Sequence, residues 1–266
     1  MLWKNGRSSE SSLLRFLFGG SFMKQLITAF SMCQTMFCRI PFPLRKWEEA
    51  ARPYLLLFLP LVGLEIGVLW VLADLVLRHL GIPAPVYGFV MTAIPVRLTG
   101  GIHLDGFMDV ADAIGSWRDL EKRRAILKDS HVGAVAVIWV AFLLLGYFAV
   151  FSSVADGRTL GCLVLVPVVS RCCSSLAVWN LRSMSTSQYA GSITPGWCRW
   201  IVWGILVGAI AAAFVCFGTA ALAIGAAGYA LSLSRAYRLL EGMNGDISGF
   251  CIHISELCAA AALILL

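Results

Sequence analysis

Charged side chains are scarce in this 266-residue chain. Only 14% of its residues are Asp, Glu, Lys or Arg, and the carboxylates number fifteen, whereas about a quarter of an ordinary soluble domain is charged. Hydrophobic residues make up 59% of the chain, and the mean hydropathy is +0.81. This balance excludes an ordinary soluble domain and predicts an all-α, polytopic membrane protein built as a helical bundle.

The nine cysteines lack the spacing that metal sites and disulfide frameworks use. No Cys-x-x-Cys pair occurs, Cys172 and Cys173 are adjacent, and several of the others lie within apolar runs. Small hydrophobic residues that are buried in a core are distributed in this way. The pattern therefore argues against a zinc site and against a disulfide framework.

Seven apolar segments approach the roughly 20 residues that an α-helix needs to cross a bilayer. They cover about 53–77, 84–95, 132–151, 160–179, 200–217, 219–233 and 250–266. The second and sixth are short, which leaves tilted or re-entrant helices open for them. Residues 1–22 are interpreted as an N-terminal extension that need not be ordered, and 23–266 as the membrane-embedded domain. Residues 23–37 can form an amphipathic helix in the membrane interface.

Basic residues favour one orientation of these seven segments. If the chain starts inside, the outside connections carry only Arg78 and Arg158. The inside connections carry fourteen: Arg39, Arg45, Lys46, Arg52, Arg97, Arg118, Lys122, Arg123, Arg124, Lys128, Arg182, Arg199, Arg235 and Arg238. This bias is typical of cytoplasmic loops. We therefore expect a multi-pass protein of the cell (inner) membrane whose charge of +6 reflects topology and anionic-lipid contact, not nucleic-acid binding.

Three carboxylates and an imidazole stand close together in this charge-poor chain. Asp105, Asp109 and Asp112 share one face of a helix, because residues i, i+4 and i+7 stack on one side. Clustered carboxylates without soft ligands suit a hard cation such as Mg²⁺. The alternative is a solvated acidic helix face. His103, just before the stripe, is either a base beside the metal or a capping residue.

Two further polar segments fall on the same predicted side. Arg124 and Lys128 lie one helical turn apart in a basic segment and can hold phosphate oxygens, although an ordinary positive-inside loop has the same composition. The Gly-rich turn 242–249 adds a fourth carboxylate, Asp246, and lets backbone amides approach a ligand, although a helix stop and a tight turn look the same. The three segments can therefore share one cytoplasmic site.

Arg171 and Glu65 fall inside predicted spans, where ionisable groups are costly and usually face a partner or a cavity. For Arg171 a functional and a structural role stay equally open. Glu65 is interpreted as structural. A pair formed by these two residues within the bundle is one reading.

Several motifs, taken in order along the chain, resemble one family. They are Phe30 with Arg39-Ile40-Pro41-Phe42-Pro43, Pro60-Leu61-Val62-Gly63 with Gly67, Thr99-Gly100-Gly101-Ile102-His103-Leu104-Asp105-Gly106 continuing to Asp109 and Asp112, Arg124 with Ile126 to Gly133, Ser170-Arg171, and Gly245-Asp246 with Gly249 and Glu256. From about Met23 onward the chain resembles the cobalamin synthase family, the adenosylcobinamide-GDP ribazoletransferases.

The resemblance implies a Mg²⁺-dependent transferase of a late step in vitamin B12 synthesis. A hydroxyl of α-ribazole, or of its 5′-phosphate, attacks adenosylcobinamide-GDP, and GMP leaves. The catalytic residues implied are His103, Asp105, Asp109, Asp112 and Asp246, the four aspartates also being the metal ligands. The substrate-binding residues implied are Thr99, Gly100, Gly101, Arg124, Lys128, Asp129, Ser130, Arg171, Asn244 and Gly245. A homo-oligomer, or a complex with other corrinoid-pathway enzymes, stays open.

Two other classes compete with this interpretation. A CDP-alcohol-type phosphotransferase acting on a lipid has a related acidic motif, but its Asp-Gly-x-x-Ala-Arg and its longer spacing to the last two aspartates are not found here. An ion-coupled transporter predicts charges near the middle of the bilayer and repeated halves with interrupted helices. The carboxylates of this chain cluster at one side instead, and no internal repeat is seen.

Overall fold

The computed structural model of the protein describes residues 20–44, 46–154, 160–184, 187 and 193–266. These ranges contain ten α-helices and two 3₁₀ helices, the latter at Glu49–Phe58 and Gly161–Leu165. The α-helices are α1 Gly20–Phe37, α2 Leu59–His79, α3 Ala84–Thr99, α4 Ile102–Gly115, α5 Leu120–Ile126, α6 Ala134–Ser152, α7 Val166–Asn180, α8 Gly196–Phe217, α9 Ala221–Leu240 and α10 Gly245–Leu265. The predicted all-α fold is confirmed.

Among the residues that the structure describes, five helical segments are long and apolar enough to cross a membrane. They are Glu49–His79, Ala134–Ser152, Gly161–Asn180, Gly196–Phe217 and Gly245–Leu265. The second and sixth predicted segments are helical as well, as α3 and α9. α3 has 16 residues, fewer than a perpendicular span needs, and α9 carries Arg235 and Arg238 near its end. The protein is therefore a multi-pass membrane protein.

Helices α7 and α10 form the centre of the bundle. In each of them 78% of the most apolar window is buried, against 22% in α6 and in α8. α10 packs against α9, α4, α7 and α6. Its small residues allow this close approach, as small residues do in membrane helices generally. α6 and α8 present large apolar side chains to the outside, which is expected of helices that contact lipid.

The Gly-Gly pair between α3 and α4 turns the chain toward the acidic stripe. Gly100 and Gly101 have φ values of +66° and +82°, which glycine adopts without steric cost. A Cβ on Gly100 would also collide with the Arg39 side chain. Beyond this turn α4 buries Phe107 and Val110 against the bundle. Its aspartates are left on the opposite side of the helix.

Helix α1 extends across the predicted domain boundary at residue 23, and the division of the chain at this position stays a prediction. The notional boundary at residue 23 falls inside α1, and Phe22 is buried against the rings of Tyr54 and Trp197. The amphipathic helix expected over 23–37 is present, and it packs on the Glu49–Phe58 helix. Residues 1–19 of the predicted extension, and Arg45 and Arg158 of the charge count, lie outside the described residues.

Arg171 and Glu65, the two ionisable residues predicted inside spans, do not pair with each other. Arg171 of α7 forms an ion pair with Glu256 of α10, and both side chains are 1% exposed. Ser170 Oγ donates to the same carboxylate over 2.9 Å. Glu65 instead accepts a hydrogen bond of 2.7 Å from Gln34 Nε2. The pairing of Arg171 with Glu65 is therefore wrong, because α7 directs the guanidinium toward α10.

Candidate active site

Helices α4 and α10 approach each other closely at two glycines. A Cβ on Gly106 of α4 would lie 2.7 Å from the Cα of Asp246. A Cβ on Gly249 of α10 would lie 2.7 Å from the backbone oxygen of His103. Only glycine permits this contact at both positions. The two helices therefore bring Asp246 next to the acidic stripe, although 134 residues or more separate them in sequence.

The carboxylates of the four aspartates interact electrostatically. Asp105 is exposed, whereas Asp109, Asp112 and Asp246 are half-buried. Burial, and then the charges of Asp105, Asp246 and Asp112, raise the pKa of Asp109 to about 6. Such mutual repulsion is relieved by a cation or by a proton. The stripe is therefore not a row of independent, solvated carboxylates.

The donor set of this cluster fits a hard divalent cation in its chemistry. Every side chain offers carboxylate oxygens, which Mg²⁺ prefers over nitrogen or sulfur. Within the described residues, however, no group of three or more Asp, Glu, His or Cys side chains is gathered closely enough to hold a metal ion. Metal binding therefore requires these side chains to rotate toward one another. The close contact between α4 and α10 already places the four aspartates on neighbouring helices.

Asp246 is oriented by its neighbour Asn244. The Asn244 amide donates to Asp246 Oδ2 over 2.6 Å. Its Oδ1 accepts from the backbone N–H of Ile247 over 3.0 Å and so caps the start of α10. One side chain thus begins the helix and fixes the carboxylate. Gly245, the first residue of α10, follows directly from this cap.

A cavity of about 420 Å³ lies beside Asp246. Its polar lining comes from Arg124, Lys128, Arg182, Ser183, Glu241, Asn244 and Asp246. Lys128 and Arg182 are exposed side chains. The predicted basic pair and the predicted Gly-rich turn therefore line one cavity, and a ligand with phosphate groups would meet both cations and Asp246 there.

Arg124 has a role that the sequence pattern does not indicate. Its Nε donates to the backbone oxygen of Leu240 over 3.0 Å, and its Nη2 donates to that of Glu241 over 2.8 Å. A guanidinium at the end of α9 satisfies free carbonyls and complements the helix dipole. Two of its five donors are therefore already engaged, and Lys128 is the freer of the two cations.

Arg182 is a cavity residue that sequence reasoning missed. It was counted only as a topogenic charge, yet its backbone oxygen accepts from Met243 N over 2.9 Å, and Met184 N donates to Met243 over 2.9 Å. A short parallel bridge between Ser183 and Met243 results. This bridge ties the segment after α7 to the Gly-rich turn. No local sequence signal announces such a contact.

His103 lies in the wall of a second, small cavity of about 80 Å³ that Asp246 also lines. The imidazole is 5% exposed and stacks on Phe37 with a centroid distance of 5.7 Å. Its Nε2 has no hydrogen-bond partner among the described residues. Burial, followed by the charges of Arg171 and His253, lowers its pKa well below the usual range. A neutral imidazole with a free nitrogen therefore stands beside Asp246.

The remaining predicted substrate residues lie elsewhere. The Thr99 hydroxyl donates to the Pro95 carbonyl of its own helix over 2.9 Å and is buried. Gly100 and Gly101 form the turn described above. Arg171 is enclosed in its ion pair. These four residues do not line the basic cavity, and their contacts with substrate stay a prediction.

Asp129 and Ser130 are exposed beyond α5, outside the lining of both cavities. Asp129 pairs with the ring of His131, whose Nδ1 lies 2.6 Å from its carboxylate oxygen. This pair is local, and both of its side chains are exposed. A substrate role for either residue stays a prediction.

Comparisons with known proteins identify the family. The model of the family described as cobalamin-5-phosphate synthase matches residues 29–264. An adenosylcobinamide-GDP ribazoletransferase of Clostridium perfringens (strain SM101) is 35% identical over 242 residues, covering 88% of this chain and 96% of that protein. The enzyme of the same name from Clostridium botulinum (strain Alaska E43) is 31% identical and covers 88% of this chain and 96% of its own length. The one from Listeria monocytogenes (serotype 4a) is 33% identical and covers 86% of this chain and 94% of its own length.

No solved structure matches the chain significantly. The family model covers the second half of α1 and nearly all of the chain from there to the end of α10, including both helices of the α4–α10 contact. Neither the lipid phosphotransferase nor the transporter interpretation has comparable support. The chain is an enzyme, and it belongs to the cobalamin-5-phosphate synthase family, whose curated members are adenosylcobinamide-GDP ribazoletransferases.

Proposed function

We propose that this enzyme joins adenosylcobinamide-GDP to α-ribazole, or to its 5′-phosphate, in a Mg²⁺-dependent reaction. A hydroxyl oxygen of the ribazole forms a new bond to the phosphorus that carries the cobinamide. The bond from that phosphorus to the GMP oxygen breaks, and GMP leaves with the electron pair. The product is adenosylcobalamin, or adenosylcobalamin 5′-phosphate.

The observation that carries this proposal is the close contact of α4 with α10. It sets Asp246 against the backbone of Gly106, one residue from Asp105. The same Asp246 lines both the basic cavity and the cavity of His103. A pyrophosphate substrate and a hydroxyl substrate can therefore approach one carboxylate from two sides.

The acidic cluster would hold the metal. Asp105, Asp109, Asp112 and Asp246 are the available oxygen ligands, and a bound Mg²⁺ would offset the charge that develops on the pyrophosphate. Asn244 keeps one of these carboxylates in place through its 2.6 Å hydrogen bond. Lys128 and Arg182 would bind phosphate oxygens, since charge-assisted hydrogen bonds of this type are among the strongest in proteins.

His103 would accept the proton of the attacking hydroxyl at Nε2. Burial keeps the imidazole neutral, so that this nitrogen is free to accept. The Phe37 ring holds the orientation of the imidazole by stacking.

Release of GMP from adenosylcobinamide-GDP by the purified protein tests the function directly. We expect release only when Mg²⁺ and α-ribazole, or its phosphate, are both present. Asp105→Asn and Asp246→Asn should lower the rate by about 10²-fold or more, as does loss of charge stabilisation in other active sites. Glu121→Gln, an exposed carboxylate change on α5, is the matched control. Full activity of both Asp variants, or of the metal-free enzyme, would contradict the proposal.

The same proposal places the site at the cytoplasmic face of the cell membrane. The asymmetry of Lys and Arg between the two ends of the bundle supports this orientation. In a cysteine-free background, Ser116→Cys should react with a membrane-impermeant thiol reagent only after the cells are opened. Leu80→Cys, which lies at the α2–α3 turn and is 64% exposed in the native residue, should react in intact cells. The reverse pattern would overturn the orientation.

A further inference from the structure

A second large cavity lies at the opposite end of the bundle from the acidic stripe. It has a volume of about 770 Å³ and lies where α2 ends, α3 begins and α6 ends. α6 begins beside Asp112, whose carboxylate would collide with a Cβ on Gly133. From there α6 runs for 19 residues, or about 28 Å, before it reaches the cavity. This cavity is therefore separate from the proposed active site.

Three polar side chains form a compact cluster in its wall. Asp74 of α2 is 3% exposed and accepts hydrogen bonds from Arg78 Nε and from the Tyr87 hydroxyl. The guanidinium carbon of Arg78 also lies 5.6 Å from the centre of the Tyr87 ring. These contacts fix the Arg78 side chain and leave the Asp74–Arg78 pair neutral as a whole. A half-buried, pre-oriented guanidinium of this kind is suited to bind a phosphate or carboxylate group.

Two donors in this wall lack a hydrogen-bond partner in the part of the chain that the structure describes. Arg78 Nη2 and Ser152 Oγ are both buried as atoms, and within the described residues neither makes a hydrogen bond. Both residues line the cavity. Buried donors are rarely left unsatisfied in native proteins. A ligand with acceptor oxygens would satisfy both donors, and a phosphate group offers such oxygens together with the charge that suits a guanidinium.

The rest of the wall is apolar and continues onto the outer surface of the bundle. Val71, Leu75, Ile82 and Leu160 line the cavity, and Leu75 is 57% exposed. Large apolar side chains at the same end, including Leu72, Val76, Leu80 and Val86, are exposed as well. A ligand that fits both parts has a phosphate at one end and hydrocarbon chains at the other.

We propose that this cavity binds the phosphate of a phospholipid headgroup, with Arg78 Nη2 and Ser152 Oγ as donors. The acyl chains then lie along the exposed apolar surface of α2. Asp74 and Tyr87 position Arg78 without contacting the lipid. This site is independent of the proposed function, because its residues touch neither substrate cavity.

Lipid retention measured by native mass spectrometry tests the proposal on the purified full-length protein. Phosphatidylglycerol is compared with diacylglycerol of the same chains, and inorganic phosphate is added as competitor. Ser152→Ala removes one donor and leaves the Asp74–Arg78 pair intact. We expect it to weaken phosphatidylglycerol binding about tenfold, as loss of a hydrogen bond to a charged group does. Ser153→Ala is the matched control, because the Ser153 hydroxyl is exposed and donates to Val150 over 2.8 Å.

Every outcome of this experiment either supports or contradicts the proposed phospholipid site. Stronger binding of phosphatidylglycerol than of diacylglycerol, reduced by Ser152→Ala and not by Ser153→Ala, supports a phospholipid site. Equal binding of the two lipids, or equal effects of the two serine variants, overturns it. Displacement of the lipid by inorganic phosphate at similar concentration would also overturn it, because the site would then take a free phosphate. Arg78→Lys, which keeps the charge beside Asp74 but loses the guanidinium fork, should weaken binding further.

Discussion

Replacing Gly106 by alanine tests whether the α4–α10 contact builds the active site. The substitution adds one methyl group at the point where the two helices touch. That Cβ would lie 2.7 Å from the Cα of Asp246 and 3.0 Å from its backbone oxygen, whereas ordinary van der Waals contact begins at 3.4 Å. Both neighbours are backbone atoms, which cannot move aside as a side chain does. The helices must therefore separate by about 0.7 Å, the difference between these distances.

The expected effect on stability is modest, and the expected effect on catalysis is large. Overpacking of this kind costs about 1–3 kcal/mol, while alanine in place of glycine within a helix recovers about 1 kcal/mol. The net loss of folding stability is therefore about 0–2 kcal/mol. A displacement approaching 1 Å between reacting groups can cost about 10²-fold in rate. Activity should thus fall by tens of fold in a protein that still folds.

Steady-state release of GMP, together with thermal unfolding in the same detergent, measures both quantities. Gly204→Ala is the matched control, because Gly204 is also helical and a Cβ there would contact nothing within 4 Å. We expect it to keep full activity. A Gly106→Ala enzyme with activity within about threefold of the parent would refute the reasoning, since the reacting groups could not then depend on this contact.

Three further predictions concern individual side chains of the proposed site. Lys128→Ala should raise the KM for adenosylcobinamide-GDP about tenfold or more. Arg124→Ala should mainly lower the thermal unfolding temperature, because Arg124 binds the last carbonyls of α9. An increase in KM for Arg124→Ala without any loss of stability would contradict this difference between the two residues. His103→Gln should lower kcat by about 10²-fold or more with little change in KM, and an unchanged kcat would exclude proton acceptance at this residue. The affinity for Mg²⁺, measured by calorimetry, should weaken as the pH falls through about 6, because Asp109 must lose its proton before it binds a cation; Asp109→Asn should flatten this dependence, and a constant affinity from pH 5 to pH 7 would refute it.

The acidic stripe and its neighbours could be predicted from the sequence because their relation is local. Asp105, Asp109 and Asp112 share a helix face by periodicity alone, and α4 has the predicted helical form. Asp246 could be placed on the same side of the membrane as the acidic stripe, because an even number of membrane crossings returns the chain to the side from which it started. The glycines at 106 and 249 appear in the sequence, but their role as contact points becomes visible only when the two helices are packed.

Contacts between segments that lie far apart in the sequence were not predicted. Arg124 binds carbonyls 116 and 117 residues further along the chain, and nothing in its local sequence distinguishes such a helix-capping arginine from a phosphate ligand. Arg171 pairs with Glu256 and not with Glu65, because the choice depends on which helices are neighbours. Arg182 joins the site through a backbone bridge, and backbone pairing of this kind carries no residue-type signature.

The four predicted ligands are not equivalent in the structure, and the difference follows from the packing of α6. Asp112 lies against Gly133, the N-cap of α6, where the positive end of the helix dipole attracts a carboxylate. Among the charges that raise the pKa of Asp109, that of Asp105 acts most strongly, then that of Asp246, and that of Asp112 least. Asp109 therefore interacts more strongly with Asp105 and Asp246 than with Asp112. In the proposed metal site, Asp105 and Asp246 therefore contribute more than Asp112 to the repulsion on Asp109 that a cation would relieve, while Asp112 lies beside the start of α6.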